Sequence, residues 1–240
     1  MAHAGDLRAD PAPGPHQRPR DAGHLQPRHR DGAGPRAAAG GLSRDRRGGG
    51  GVKLGVAVSG KGSNLRNLLD RGFPVVAVVT NRPSCGGAEI ARAHGISLGE
   101  FPQSRFASAL ERDVALRDFL LAHGVELLVC AGYDRIFTAP LFESFAGRIL
   151  NIHPSLLPAF AGGMDAVEQA LAAGVPRTGC TVHYVTEDVD AGPVILQAEV
   201  PVLPGDDSES LRARVQAREH EILPKAIEMA SDAARAAIGQ

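Results

Sequence analysis

The stretch "VKLGVAVSGKGSNLRNLLDR", Val52 to Arg71, decides the fold. Its first eight residues read as a strand and "GKGS" as a turn. Asn64 to Arg71 then reads as a short helix with Leu65, Leu68 and Leu69 on one face. The unit is strand, loop, helix. A second apolar strand, "PVVAVVT", follows at once, then a Gly-containing turn and a helix around Ala88 to His94. Phe106 to His123 repeats a helical period, Gly124 stops it, and "VELLVCA" is a third apolar strand. Strands continuous in Val and Leu, rather than alternating, are what a parallel sheet covered on both faces requires. The expected fold class is therefore α/β.

Further along come a short helix near Leu141 to Phe145, the strand "RILNI", a loop, and a helix from about Asp165 to Ala173. Two more strands, "GCTVHYV" and "PVILQAEV", flank the acidic turn "TEDVDAG". A last helix, Ser208 to about Ala230, is prepared by the capping cluster "DDS".

Composition limits the function classes. The 240 residues are 43% hydrophobic with a formal net charge of -1, enough for one large core and without a general pull toward nucleic acid. Residues 1–51 differ sharply: nine Arg and five Asp give +4, leaving -5 on the other 189. That segment is rich in Ala, Gly and Pro, shows no apolar periodicity, and is expected to be a disordered low-complexity extension ahead of a catalytic domain, 52–240. A mistaken translation start in a GC-rich genome would give the same composition. Cys85, Cys130 and Cys180 lack any C-x-x-C spacing, so neither a disulfide framework nor a metal site is expected. No apolar run approaches the roughly 18 residues of a membrane span. A cytoplasmic protein with no membrane or nucleic-acid partner, monomer or homodimer, is the expectation.

Four stretches could carry chemistry. "SGKGSN", Ser59 to Asn64, lies where an α/β sheet offers backbone N–H groups and a helix dipole to an anion. It fits neither the dinucleotide fingerprint, which needs Gly at Leu65, nor the Walker spacing, so by itself it marks a tight turn or a phosphate site equally well. In "RILNIHPSLLP", strand geometry projects Asn151 and His153 from one face while Ile152 enters the core, and Pro154 fixes the chain just after them. The plain alternative is a strand-end histidine satisfied locally. "TEDVDAGP" adds Glu187, Asp188 and Asp190, which are either a solvated turn or a source of one carboxylate for His153. "RVQAREH" puts Gln216 and Glu219 on one helical face, where the plain reading is an exposed polar surface.

Taken together, "SGKGSNL", "AGYDRI", "NIHPSLLPAF", "TGCTVHYVTEDVDAGPVI" and "RVQAREH", in this order and spacing, closely resemble the folate-dependent formyltransferases. Within them the match is to the group that formylates glycinamide ribonucleotide in purine synthesis. The resemblance covers about Val52 to Ala230. It implies a Rossmann-like formyltransferase fold with a mostly parallel sheet and helices on both faces. It also implies an enzyme that moves a formyl group from 10-formyltetrahydrofolate, a cosubstrate, to the glycinamide amine without a metal. By the same resemblance, Asn151, His153 and Asp190 are the catalytic residues. Gly62, Ser63, Asn64, Gln216 and Glu219 would hold the ribonucleotide. Asp134, Arg135, Ile136 and Phe137, with Thr186, Glu187, Asp188, Val189 and Asp190, would line the folate cleft. Asp134 departs from the Met common there, which implies a more polar cleft mouth; for Ile136 and Phe137 the plain alternative is core packing. A formyltetrahydrofolate hydrolase, a formyltransferase for another amine, and a non-catalytic nucleotide-binding module are the alternatives.

Overall fold

The computed structural model describes residues 51–163 and 165–238. The expectation for residues 1–51 lies, Gly51 apart, outside them. Seven strands form one sheet: β1 (Leu54–Val58), β2 (Val75–Thr80), β3 (Ser97–Glu100), β4 (Leu127–Cys130), β5 (Ile149–His153), β6 (Arg177–Tyr184) and β7 (Val194–Pro201). Their order is β3-β2-β1-β4-β5-β6-β7. The first five are parallel, and β6 and β7 join antiparallel at one side. The helices are α1 (Ser63–Asp70), α2 (Gly86–Ala93), α3 (Ala109–Ala122), α4 (Ala139–Ser144), α5 (Ala166–Ala172) and α6 (Ser208–Ile238).

The continuous apolar strands have the expected cause, because each face of the sheet carries its own core. Val56 and Val58 of β1 pack with Leu65 and Leu68 of α1 and with Leu211, Val215 and Leu223 of α6. Ala57, between those valines, faces the other way, with Leu116 and Leu120 of α3 and Leu141 and Phe145 beyond them. Burying a side chain of this size contributes about 1.5–3 kcal/mol, so two such layers supply most of the drive to fold.

Strand order reverses between β1 and β4, so the loops leaving their C-terminal ends diverge and open a crevice, the usual ligand position in such sheets. Ser59 ties the two ends together: its N–H donates to the Gly132 carbonyl (3.0 Å) and its Oγ accepts from the Asp134 N–H (3.0 Å).

Sequence and structure part at three boundaries. β3 was not expected, because "SLGE" is a half-exposed four-residue edge strand with no apolar run. The third helix starts at Ala109, not Phe106, since Ser108 caps it by accepting the Glu111 N–H at 3.1 Å and Gln103–Arg105 form a separate 3-10 turn. The last helix runs on to Ile238. Its start is as expected, with Asp207 Oδ1 accepting the Ser210 N–H (2.8 Å).

Pro224 inside α6 cannot donate to the His220 carbonyl one turn back. The Asn67 amide of α1 donates to that carbonyl instead, at 3.0 Å. The vacancy in the helix ladder thus becomes a tether between α1 and α6. Among the described residues, no helix is long and apolar enough to cross a membrane.

Candidate active site

β5 carries Asn151 and His153 on one face and buries Ile152 between them on the other, as the period of a strand requires. His153 is only 5% exposed. Asp190 reaches them from the β6–β7 connection. Its Oδ2 lies 3.4 Å from His153 Nδ1 and accepts the Gly162 N–H at 2.8 Å. Its Oδ1 accepts from Asn151 Nδ2 at 3.5 Å. The expected trio therefore meets at the C-terminal end of β5.

Two backbone devices bring Asp190 there. Asp190 itself has φ 54°, a left-handed conformation that a non-glycine residue holds at a cost of order 1–3 kcal/mol. Gly192 follows where the chain passes so close to the Tyr184 carbonyl that a Cβ would stand 1.8 Å from it. Only glycine lets the connection fold back.

The fourth member of the cluster is His183 of β6, to which the sequence analysis assigns no role. It pairs with Asn151 across β5 and β6, is 1% exposed, and places Nε2 3.4 Å from Asp190 Oδ1 and 3.2 Å from Asn151 Nδ2. No local signal in the sequence marks it, because only the antiparallel register of β6 against β5 sets Asn151 and His183 side by side. With hydrogen bonds from His183 foremost, and the Gly162 N–H and His153 also contributing, the Asp190 carboxyl is lowered to about 2 despite its burial.

His153 turns both ring nitrogens toward oxygens that can only accept, Nδ1 toward ionised Asp190 and Nε2 toward the Phe160 carbonyl at 3.0 Å. The imidazolium satisfies both; either neutral tautomer satisfies one.

At the β1–α1 turn, Gly62 is the residue before the helix, with φ 76°, and a Cβ there would stand 2.5 Å from Gly87 Cα. Glycine is needed twice over, for conformation and for space. The turn presents Ser63 and Asn64 to α6, where Gln216 Nε2 donates to Ser63 Oγ (2.6 Å) and Asn64 Nδ2 donates to Glu219 Oε2 (2.9 Å). The exposed polar face expected of "RVQAREH" alone does not hold for these two residues. Burial pushes the Glu219 carboxyl up, against the opposing effects of Asn64 and Arg212. Asn64 Oδ1 is buried without a partner among the described residues.

The segment after β4 splits the core-packing alternative. Phe137 is core, stacked on Tyr133 with ring centroids 5.3 Å apart, whereas Ile136 is 67% exposed. Asp134 does not simply make the cleft mouth acidic. It accepts from Asn81 Nδ2 (2.7 Å), pairs with Arg82, and has Arg135 Nε at 3.7 Å, so its charge is neutralised on the β2 side. Thr186 to Val189 form an exposed turn closed by Thr186 Oγ1 donating to the Asp188 carbonyl (3.1 Å). Cys130 and Cys180 are pushed up to about 12, chiefly by burial, so neither offers a thiolate nucleophile near neutral pH.

The crevice thus has a glycine turn leading into α1 at β1 and a carboxylate–imidazole–amide cluster at β5, two strands away. Known proteins share this fold. The formyl transferase family model matches residues 52–227. A phosphoribosylglycinamide formyltransferase of Haemophilus influenzae is 39% identical over 181 residues, 73% of this chain and 85% of that protein. One from Escherichia coli is 40% identical over 188 residues, 75% of this chain and 88% of that protein. The crystal structure of glycinamide ribonucleotide transformylase 1 from Symbiobacterium toebii superposes with a TM-score of 0.74 at 45% identity, covering 78% of this chain and 90% of that one. On fold and sequence alike, the chain belongs to the formyl transferase family, among the phosphoribosylglycinamide formyltransferases.

Proposed function

We propose that this chain transfers a formyl group from 10-formyltetrahydrofolate to the amine of glycinamide ribonucleotide, a step of purine synthesis, by direct attack through a tetrahedral intermediate. The observation that carries the reading is the meeting of Asn151, His153 and Asp190 at the end of β5, two strands from the Gly62–Asn64 turn.

The amine nitrogen attacks the formyl carbon, the C–O double bond becomes an oxyanion, and the bond to N10 then breaks as a proton passes from the amine to N10. The Asn151 amide and the His153 imidazolium are the donors for the oxyanion. In the structure His153 Nε2 donates to the Phe160 carbonyl, so binding of the formyl group exchanges one oxygen acceptor for another. Asp190 balances the imidazolium charge and, through water, relays the proton. The phosphate sits on the N–H groups of Gly62, Ser63 and Asn64 at the start of α1, with Gln216 and Glu219 of α6 on the ribose side. Arg135, Ile136 and the backbone of Phe137 face the pterin, and the Thr186–Asp190 turn, with Glu187, Asp188 and Val189 at its tip, covers it.

The test is to incubate the protein with 10-formyltetrahydrofolate, with and without the ribonucleotide, and follow folate release. Release that requires the ribonucleotide is expected. Release without any acceptor would make the chain a hydrolase, and no release in either case would leave a nucleotide-binding module.

A further inference from the structure

Arg112 and Asp113 of α3 are 2% and 0% exposed, yet they stand where a helix covering a sheet normally places apolar residues. They pair with each other, Arg112 Nη2 lying 2.7 Å from Asp113 Oδ1. Both then turn to the segment after β4. Arg112 Nη2 donates to the Ile136 carbonyl (3.0 Å) and Nη1 to Gln103 Oε1 (3.1 Å). Asp113 Oδ2 accepts the Thr138 N–H (2.6 Å) and the Thr138 hydroxyl (2.8 Å).

A buried ion pair is a poor way to gain stability, because desolvation of the two charges offsets most of their attraction and an apolar pair of the same volume often does as well. What this pair does that an apolar one could not is hold two backbone groups of opposite polarity. The groups held belong to residues 136 and 138, the alternation that an extended chain produces along one edge. The Arg135 carbonyl and the Phe137 N–H, on either side of Ile136, carry no hydrogen bond among the described residues. One edge is therefore clamped, and the other is a fixed acceptor–donor pair. Stacking of Phe137 on Tyr133 stops the segment from twisting about its own axis.

We propose that Arg112 and Asp113 are positioning residues for the folate: they clamp the 136–138 backbone so that the Arg135 carbonyl and Phe137 N–H meet a flat heteroaromatic edge carrying a donor beside an acceptor. The proposal rests on the folate-cleft reading of residues 135–137.

The test compares Michaelis constants, which do not depend on how much of a preparation is active. Arg112→Met keeps the side-chain stem but frees the Ile136 carbonyl; it should raise KM for 10-formyltetrahydrofolate about tenfold while leaving KM for the ribonucleotide within about twofold. Thr138→Val removes one bond to Asp113 without stranding a charge and should raise the folate KM about threefold, which keeps the test open if Arg112→Met does not fold. Arg112→Lys, which still reaches one acceptor, should recover part of the loss. Exposed Ile136→Ala serves as the control on the cleft itself. If it raises the folate KM while Arg112→Met and Thr138→Val do not, the pair is merely structural and the proposal fails. If Ile136→Ala also leaves the folate KM unchanged, the cleft has been placed wrongly.

Discussion

His183 Nε2 lies 3.4 Å from Asp190 Oδ1, on the oxygen opposite the one that faces His153. The carboxylate is thus held from both sides, and the Gly162 N–H fixes its plane. This matters because Asp190 sits in a left-handed backbone conformation on a connection whose tip is exposed. Without side-chain partners only the Gly162 N–H would hold the carboxylate over β5.

His183→Ala should therefore lower kcat by about tenfold, less than loss of Asp190 itself, by loosening the carboxylate rather than removing it. The accompanying signature is spectroscopic. A carbon NMR titration should move the Asp190 carboxyl from about 2 back toward its ordinary 3.8, since the hydrogen bond from His183 is the largest cause of its lowering. An unchanged titration would deny His183 this part.

Ser63→Asp addresses the other end of the crevice. A carboxylate on the turn that faces the phosphate should raise KM for the ribonucleotide by at least about tenfold and leave KM for the folate nearly unchanged. Steady-state kinetics with each substrate varied in turn separates the two, and a rise confined to the folate would move the turn to the wrong ligand.

The contrast between these residues shows what sequence can carry. Asn151 and His153 were legible as a pair because the strand period alone sets them on one face, and β1–α1 was legible because continuous Val and Leu mean a buried parallel strand. His183 was not, since its meaning depends on the register of β6 against β5, a non-local pairing that leaves no local pattern. The inward turn of Gln216 and Glu219 was hidden for a related reason: it depends on α6 lying against α1, where Asn67 and His220, 153 residues apart, are tethered. Arg112 and Asp113 look like an ordinary charged helix face until the loop after β4 is laid against them. β3 went unseen because a short edge strand needs little apolar surface.

Glu219→Gln should raise the melting temperature near pH 7.5 by about 2–4 °C. Burial holds the Glu219 carboxyl above its ordinary value, so the folded state takes up this proton more readily than the unfolded one. Ionised Glu219 thus costs stability as pH rises, and a neutral amide removes that cost. Gln can still accept from Asn64 Nδ2 and can donate to Asn64 Oδ1, which lacks a partner among the described residues. The gain should fade below about pH 4, where the unfolded carboxyl is protonated as well. Calorimetric scans from pH 3.5 to 8 check this, and a gain independent of pH would rule out ionisation as its source.

Asp190→Asn tests the mechanism most directly, because it keeps size and some hydrogen bonding while removing the charge beside His153 Nδ1. Losing acid–base help alone is worth about 10²–10⁴-fold and losing one oxyanion donor about 10²–10³-fold, and since the roles overlap they should not multiply. A fall in kcat of at least about 10²-fold is expected, with ribonucleotide affinity by calorimetry nearly intact. The same variant reads out stability with a defined sign. The folded Asp190 carboxyl is lowered to about 2 from 3.8, so its contribution is complete above about pH 4 and is lost as pH falls toward 2. The gap in melting temperature between the parent and Asp190→Asn should accordingly be widest at neutral pH and close over that acid window. A variant whose kcat stays within about threefold of the parent, roughly 0.7 kcal/mol, would take Asp190 out of the mechanism whatever its stability does.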